Sequence, residues 1–291
     1  MEAFFRAHQP IDLHLHSNVS DGTESPRDVV RAAHTAGVRT MALTDHDTTA
    51  GWDEAIAECA RLDMTFIGGM EITAIGARGG GVHMLAYLFD PTDEALLSAC
   101  NSVLDARIPR LQEMTARLAS TYAITWDDVL RHADGESIGR PHLASAMHEL
   151  GYVETVNDFF ENVVTKDSPY YVPSPGLDVR DVINLVRGAG GVPITAHPVG
   201  RHSHVMPREH MVALKAAGLA GFELGHRENA RNPDGLARLH EYAEEFDLIV
   251  TGSSDYHGAR KENVPGENTT TPEMLMRIIE ESTGFEPIYP G

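Results

Sequence analysis

The chain has 291 residues, 42% of them apolar and 7% aromatic, and its 43 acidic side chains outnumber 23 basic ones to leave a formal charge of −20. That composition excludes a disordered, collagen-like or disulfide-framework protein. The acidic balance argues against a long nucleic acid as partner.

Lysine occurs only at Lys166, Lys215 and Lys261. The two cysteines, Cys59 and Cys100, stand in helix-like stretches without a CxxC partner, which predicts reduced thiols. The first residues lack a signal-peptide core, and no run approaches the roughly 20 apolar residues of a membrane span. A cytoplasmic protein without membrane contact is expected.

Short apolar runs then alternate with helical patterns. Residues 11–16 read as a strand, and Ser25-Pro26 opens a helix to about residue 37, with Ser as N-cap and Pro at the first helical position. Residues 40–44 read as a second strand and 49–62 as a second helix. Two further strands, 65–74 and 83–89, are joined by the turn at Gly79, Gly80 and Gly81. From about residue 92 to 164 only helical patterns occur, at 96–122, 126–132, 141–150 and 155–162. Alternation resumes with a helix at 178–188, a strand at 192–196, a helix at 207–217, a strand at 221–224, a helix ending near 246 and a strand at 248–252. Thr271-Pro272 opens the last helix.

Such alternation predicts an α/β architecture with a parallel sheet and helical crossovers, closed into a barrel or left open. The expected domains are a barrel built from residues 1–98 and 165–291 and an inserted helical subdomain of residues 99–164.

Sixteen histidines are present, and they are unevenly placed. Polar residues follow the apolar strand cores: His14 and His16, then Asp21, then Thr44-Asp45-His46-Asp47, Glu71 and His83. The helical stretch contributes Gly139-Arg140-Pro141-His142. Later come Thr195-Ala196-His197-Pro198 and Ser253-Ser254-Asp255-Tyr256-His257. Residues i and i+2 of a strand point to one side, so His14 and His16 can share an ion, and Asp255 and His257 can share one or serve two adjacent ions. In a parallel barrel the strand C-termini converge on one face. Imidazole with carboxylate suits Zn²⁺, Mn²⁺ or Fe²⁺. Each piece alone has a bland reading as a structural histidine or polar turn; their recurrence at strand ends favours metal. His34, His132, His148, His210 and His240 lie in helical patterns and read as surface or packing residues.

Taken in order, DLHLHS, Asp21-Gly22, ALTDHD, Gly69-Met70-Glu71, GRPH and SDYH resemble the PHP family of metal-dependent phosphoesterases, from Asp12 to His257, in the branch with a helical insertion before GRPH. The resemblance implies a distorted (β/α)7 TIM-like barrel carrying three divalent metal ions (Mn, Fe or Zn). It implies that His14, His16, Glu71 and Asp255 hold one ion. Glu71 then bridges to a second, held with His83 and His142, and Asp21, His46 and His257 hold the third.

It places Arg140 and His197 on the substrate. Both are expected as catalytic groups, and His197 is further expected to protonate the leaving alkoxide. Three divalent ions with three carboxylates and a hydroxide leave a locally positive site, suited to a phosphate monoester dianion in an otherwise acidic protein. The expected activity is phosphate release from a small anionic nucleotide by a metal-activated hydroxide, nucleoside 3′,5′-bisphosphate giving the 5′-monophosphate. The alternatives are a 5′–3′ exonuclease on short RNA or DNA and a phosphatase of AMP or another small phosphomonoester. His202, Arg260 and Lys261 are expected as further substrate contacts, with Arg201, His204, His226 and Arg227 as neighbouring candidates.

Two other readings fit less well. A C–N hydrolase of the amidohydrolase type often uses a carboxylated lysine at a strand end, where none of the three lysines falls. A structural zinc site is closed by four protein ligands, whereas nine ligands over three ions leave positions open.

Overall fold

The computed structural model describes residues 1–77, 79–132, 138–165, 167–173, 176–200 and 205–291. The chain divides into two compact units, Met1–Cys100 with Leu177–Gly291, and Asn101–Gly176.

The first unit is built on strands β1 (Ile11–Asp12), β2 (Thr40–Leu43), β3 (Thr65–Ile75), β4 (Gly81–Tyr87), β5 (Leu177–Asp178), β6 (Val192–Thr195), β7 (Gly221–Gly225) and β8 (Ile249–Gly252). They pair in the order β1-β2-β3-β4-β6-β7-β8, with β5 added to the far end of β3. The seven-stranded path is a nearly closed barrel, as expected. Its seam is a single parallel bridge, Leu15 to Tyr256, where the His16 N–H donates to the Tyr256 carbonyl at 2.8 Å.

Two expectations are corrected. The sheet is not wholly parallel, because β4 runs antiparallel to both β3 and β6. A parallel crossover needs roughly a dozen residues or more, and the short glycine-rich link at 76–80 permits only a hairpin. The first strand is also shorter than residues 11–16. Its ladder ends at Asp12, whose buried carboxylate Oδ1 accepts the backbone N–H groups of His14 (3.4 Å) and Ser254 (3.1 Å). The other oxygen accepts the Gly266 N–H at 2.8 Å. A side chain thus does at the seam what a ladder does elsewhere. The helix Glu2–Ala7 was not expected; its Phe5 is fully buried.

Alternation along the strands sorts side chains into two layers. Met41, Leu43, Phe66 and Phe222 pack outward with Val29, Val30, Ala55, Ile183 and Leu239 of the surrounding helices. Each such buried side chain contributes about 1.5–3 kcal/mol. The alternate set, Ala42, Ile67, Leu85, Tyr87, Ile194 and Ile249, fills the barrel with Phe5, Leu275 and Ile278. Continuing in that parity, β3 passes from Ile67 through Gly69 to Glu71, and β7 from Gly221 to Glu223. The interior therefore changes from apolar to charged along the same strands. The helix starts obey their sequence signals: the Ser25 hydroxyl accepts the Asp28 N–H ahead of Pro26, and the Thr271 hydroxyl accepts the Met274 N–H ahead of Pro272.

The second unit has its own core of Leu111, Met114, Leu118, Leu143, Met147 and Phe159. The helix Glu94–Leu118 leads into it and is followed by Trp126–Leu130 and Arg140–Glu149. Asp128 and Asp158 close capping boxes with Thr125 and Thr155. Among the described residues, no helix is long and apolar enough to cross a membrane.

Candidate metal centre

Eight of the nine expected ligands lie in the barrel unit, and the fold brings them together. His14 and His16 follow β1, and their Nε2 atoms stand 2.9 Å apart. Glu71 Oε2 lies 3.3 Å from the first and 3.1 Å from the second, and Asp255 Oδ1 lies 3.5 Å from each. A tetrahedral ion with ligand bonds of about 2.0–2.1 Å separates its donors by about 3.3–3.4 Å, so His14, His16 and Asp255 are spaced to share one, with Glu71 beside the two imidazoles. Glu71 also reaches His46 Nε2 at 3.4 Å and, through its other oxygen, His83 Nδ1 at 3.0 Å. The last pair is close yet not aligned as a hydrogen bond, as expected of two donors aimed at a common third atom. Asp21 lies 3.2 Å from His257 Nε2 and 3.8 Å from His46 Nε2. Three ion-sized groups result: His14 with His16 and Asp255; His46 with Glu71 and His83; and His16 with Asp21, His46 and His257.

Buried polar groups hold these donors in place. Asp45 accepts the Ser17 N–H (2.8 Å) and the hydroxyls of Ser17 and Ser20 (2.6 Å each), which shapes the loop that carries Asp21. Gly22 is required in that loop: a Cβ there would stand 2.6 Å from the His16 carbonyl oxygen. His257 donates from Nδ1 to the Asp255 carbonyl at 2.8 Å, which leaves the Nε2 lone pair facing Asp21. Asp255 and His197 both hold left-handed backbone, φ +55° and +26°. Such strain in non-glycine residues persists where surrounding contacts enforce it.

The charges are matched. Burial lowers His16 and His46 to about 4, against the pull of Glu71 and Asp21. Both rings are therefore neutral at pH 7, with lone pairs available to a cation. Burial pushes the carboxyls of Asp21, Glu71 and Asp255 up, but the surrounding histidines, joined at Asp255 by Lys261, outweigh it and hold all three well below the usual range. His14 differs: burial pulls its ring down, but Glu223, Glu71 and Asp255 outweigh it and push it well above the usual range. Carboxylates and imidazoles together are the donor set of Zn²⁺, Mn²⁺ or Fe²⁺.

The remaining candidates fall in several places. The His197 ring faces the cluster with Nε2 3.2 Å from Glu71 Oε1. Lys261 donates to Asp255 Oδ2 at 2.6 Å, and Arg260 lies exposed on the turn Gly258–Arg260. His226 is buried, accepts the Glu228 N–H on Nδ1 and sets Nε2 3.5 Å from Asp255 Oδ2. Arg227 donates two hydrogen bonds to Glu267, at 2.7 and 3.1 Å. Arg201, His202 and His204 lie outside the described residues. Arg140 and His142 start the helix Arg140–Glu149 of the second unit. There the Arg140 guanidinium sits 5.7 Å from the Phe160 ring centroid, and His142 Nδ1 accepts the Gly139 N–H at 2.9 Å.

One buried group is absent from the sequence-derived candidates. Glu223, on β7, is fully buried and accepts from His14 Nδ1 at 2.9 Å. Its only signal in the sequence is a carboxylate inside the apolar run of residues 221–224. The cysteines match expectation in being unpaired, and both are buried; burial raises both thiols to about 12.

Residues 12–151 match the PHP domain family model. Over 261 residues, 88% of each chain, the sequence is 31% identical to a 3′,5′-nucleoside bisphosphate phosphatase of Chromobacterium violaceum. Over 248 residues it is 32% identical to a 5′-3′ exoribonuclease of Haemophilus influenzae, covering 84% of this chain and 89% of that one. A crystal structure from Bifidobacterium adolescentis, assigned as a metal-dependent phosphoesterase, is 40% identical with a TM-score of 0.86, covering 94% of this chain and 97% of that one.

Proposed function

Because this chain belongs to the PHP family of metal-dependent phosphoesterases, hydrolases of phosphate esters that work with divalent metal ions, we propose that it is a phosphomonoesterase releasing phosphate from a nucleoside 3′,5′-bisphosphate. The observation that carries this reading is that Glu71 meets His14 and His16 through one oxygen and His83 through the other, beside three donor groups that overlap at His16 and His46 and leave His83 and His197 partly exposed. We assign one ion to His14, His16, Glu71 and Asp255. A second belongs to Glu71 with His83 and His142, and a third to Asp21, His46 and His257. His142 enters through its motif alone. Such ions supply Lewis-acid stabilisation of phosphate oxygens and a nucleophile from water at neutral pH.

The chain's own residues orient and protonate. Arg140 is assigned to the phosphate oxygens, where a planar guanidinium binds in a bidentate way. His197 is assigned the proton that goes to the leaving 3′-alkoxide. His202, Arg260 and Lys261 are assigned to the second phosphate. The similarity to the nucleoside bisphosphate phosphatase supports this choice of substrate. The similarity to the exoribonuclease favours a second reading, removal of nucleotides from the 5′ end of short RNA.

The test is phosphate release by the Mn²⁺-loaded protein from adenosine 3′,5′-bisphosphate, with AMP and a short 5′-phosphorylated RNA alongside. Rapid release that stops at AMP is the expected result. Shortening of the RNA without release from the bisphosphate would replace the first reading by the second.

A further inference from the structure

Glu223 is a charged side chain with no exposure, deep in a strand whose neighbours Phe222 and Leu224 are core residues. Burial of a lone carboxylate is costly unless every oxygen finds a donor. Both do. Oε1 accepts from His14 Nδ1 at 2.9 Å, and Oε2 accepts the backbone N–H of His197 at 3.0 Å. The backbone around it is braced as well. Asn229, also fully buried, donates from Nδ2 to the Glu223 carbonyl at 2.7 Å and accepts the Val199 N–H on Oδ1 at 3.1 Å. Residues 197–199 are thus tied to β7 at two points, on either side of Pro198.

We propose that Glu223 is the positioning residue of this centre, fixing through one carboxylate both the metal-facing nitrogen of His14 and the strained backbone that presents His197. The inference rests on the reading of His14 as a metal ligand. An imidazole binds an ion through a nitrogen that carries no proton, and an acceptor at the other nitrogen decides which one that is. With its proton held on Nδ1 by Glu223, His14 turns the Nε2 lone pair toward His16, Glu71 and Asp255. The second oxygen acts where the chain most needs a fixed anchor, since His197 takes φ +26° with its ring 3.2 Å from Glu71.

E223Q separates the two tasks with almost no change of shape. A carboxamide keeps one acceptor oxygen, which can stay on the His197 N–H. Its NH2 group then faces His14 Nδ1, which can accept only if the imidazole proton moves to Nε2, the nitrogen that should bind the ion. The experiment is titration of metal-free wild type and E223Q with Zn²⁺ and with Mn²⁺ by calorimetry, with thermal melting in EDTA to verify the fold. A loss of about 10–100-fold in affinity for the tightest ion is expected, as for other outer partners of metal ligands. The Mn²⁺ concentration for half-maximal phosphate release should rise in step, with the substrate KM little changed, a split that general loosening of the fold does not produce.

Equal affinity in a folded E223Q overturns the inference. If E223Q does not fold, the Zn²⁺-loaded wild type decides: its ¹H–¹⁵N spectrum must show a hydrogen-bonded proton on His14 Nδ1, and absence of that proton overturns it. Wild type that binds neither ion removes the metal reading itself and this inference with it. Normal wild-type binding with an unchanged variant removes this inference alone.

Discussion

The two halves of the centre differ in depth. His14 and His16 have side chains with no exposure and Asp255 has 5%, whereas Asp21, His197 and His83 are 23%, 25% and 35% exposed. The buried half is fastened by the buried carboxylates of Glu223 on His14 and Asp12 across the seam, and by the Tyr256 carbonyl on the His16 N–H. In the open half, Asp45 holds the loop of Asp21 and Glu223 the backbone of His197, while His83 sits near the start of β4, beside the hairpin turn. Depth suits preorganised donors, because a cage set before an ion arrives needs no rearrangement around it. Exposure suits the edge where substrate must enter and leave. Glu71 belongs to both halves.

That makes Glu71 the place where the comparison is most easily broken. E71Q should lose activity by more than about 10²-fold, beyond the range for an outer partner, together with bound metal, as measured by turnover and by metal content per chain. Retained metal and turnover would mean that the two halves do not share an ion bridge. Next in size is the effect of the ions on stability. An ion at 100 times its Kd should stabilise the fold by about 2.7 kcal/mol per site, seen as a higher Tm with Mn²⁺ than with EDTA, and E71Q should lose most of that difference.

H83N sharpens the contrast. It should weaken metal binding at the open half on the order of 10-fold and lower turnover, while the tightest ion stays bound; loss of the tightest ion would show that depth does not rank the sites.

The smallest effect lies outside the centre. On the helix Trp52–Arg61, hydrogen bonds from Arg61, together with Arg31, hold the Glu58 carboxyl down at about 2. Its folded value lies below its ordinary 4.5, so its contribution is complete above pH 4.5 and is lost as pH falls toward 2. Both arginines are about half exposed, so E58Q should cost only about 1 kcal/mol at pH 7. The difference from wild type in denaturant unfolding should shrink as pH is lowered from 4.5, with metal content at pH 7 unchanged.

Local chemistry explains how much of this was legible. Ser25-Pro26 and Thr271-Pro272 mark helix starts because a hydroxyl before a proline satisfies free N–H groups whatever the rest of the fold does. The glycine-rich link at 76–80 marks a hairpin for a reason equally local, although its consequence, an antiparallel β4, is easily lost behind the strand–helix alternation around it. His14 and His16 announce themselves because strand parity puts i and i+2 on one side. Glu223 does not, because a single carboxylate in an apolar run gains meaning only from a partner 209 residues away. Arg227 likewise gains its partner only from the fold, which brings Glu267 beside it.

The sequence by itself determined the alternation of strands and helices, the all-helical stretch and the histidine and carboxylate positions that carry the family motif. These depend on spacing, and spacing is written in the chain. Tertiary structure alone decided which donors meet: Glu71 between His16, His46 and His83, the single bridge that closes the barrel at Leu15 and Tyr256, and the buried Glu223 behind His14. Distances of 3–4 Å between groups far apart in sequence follow from barrel closure and strand register, which no local pattern encodes.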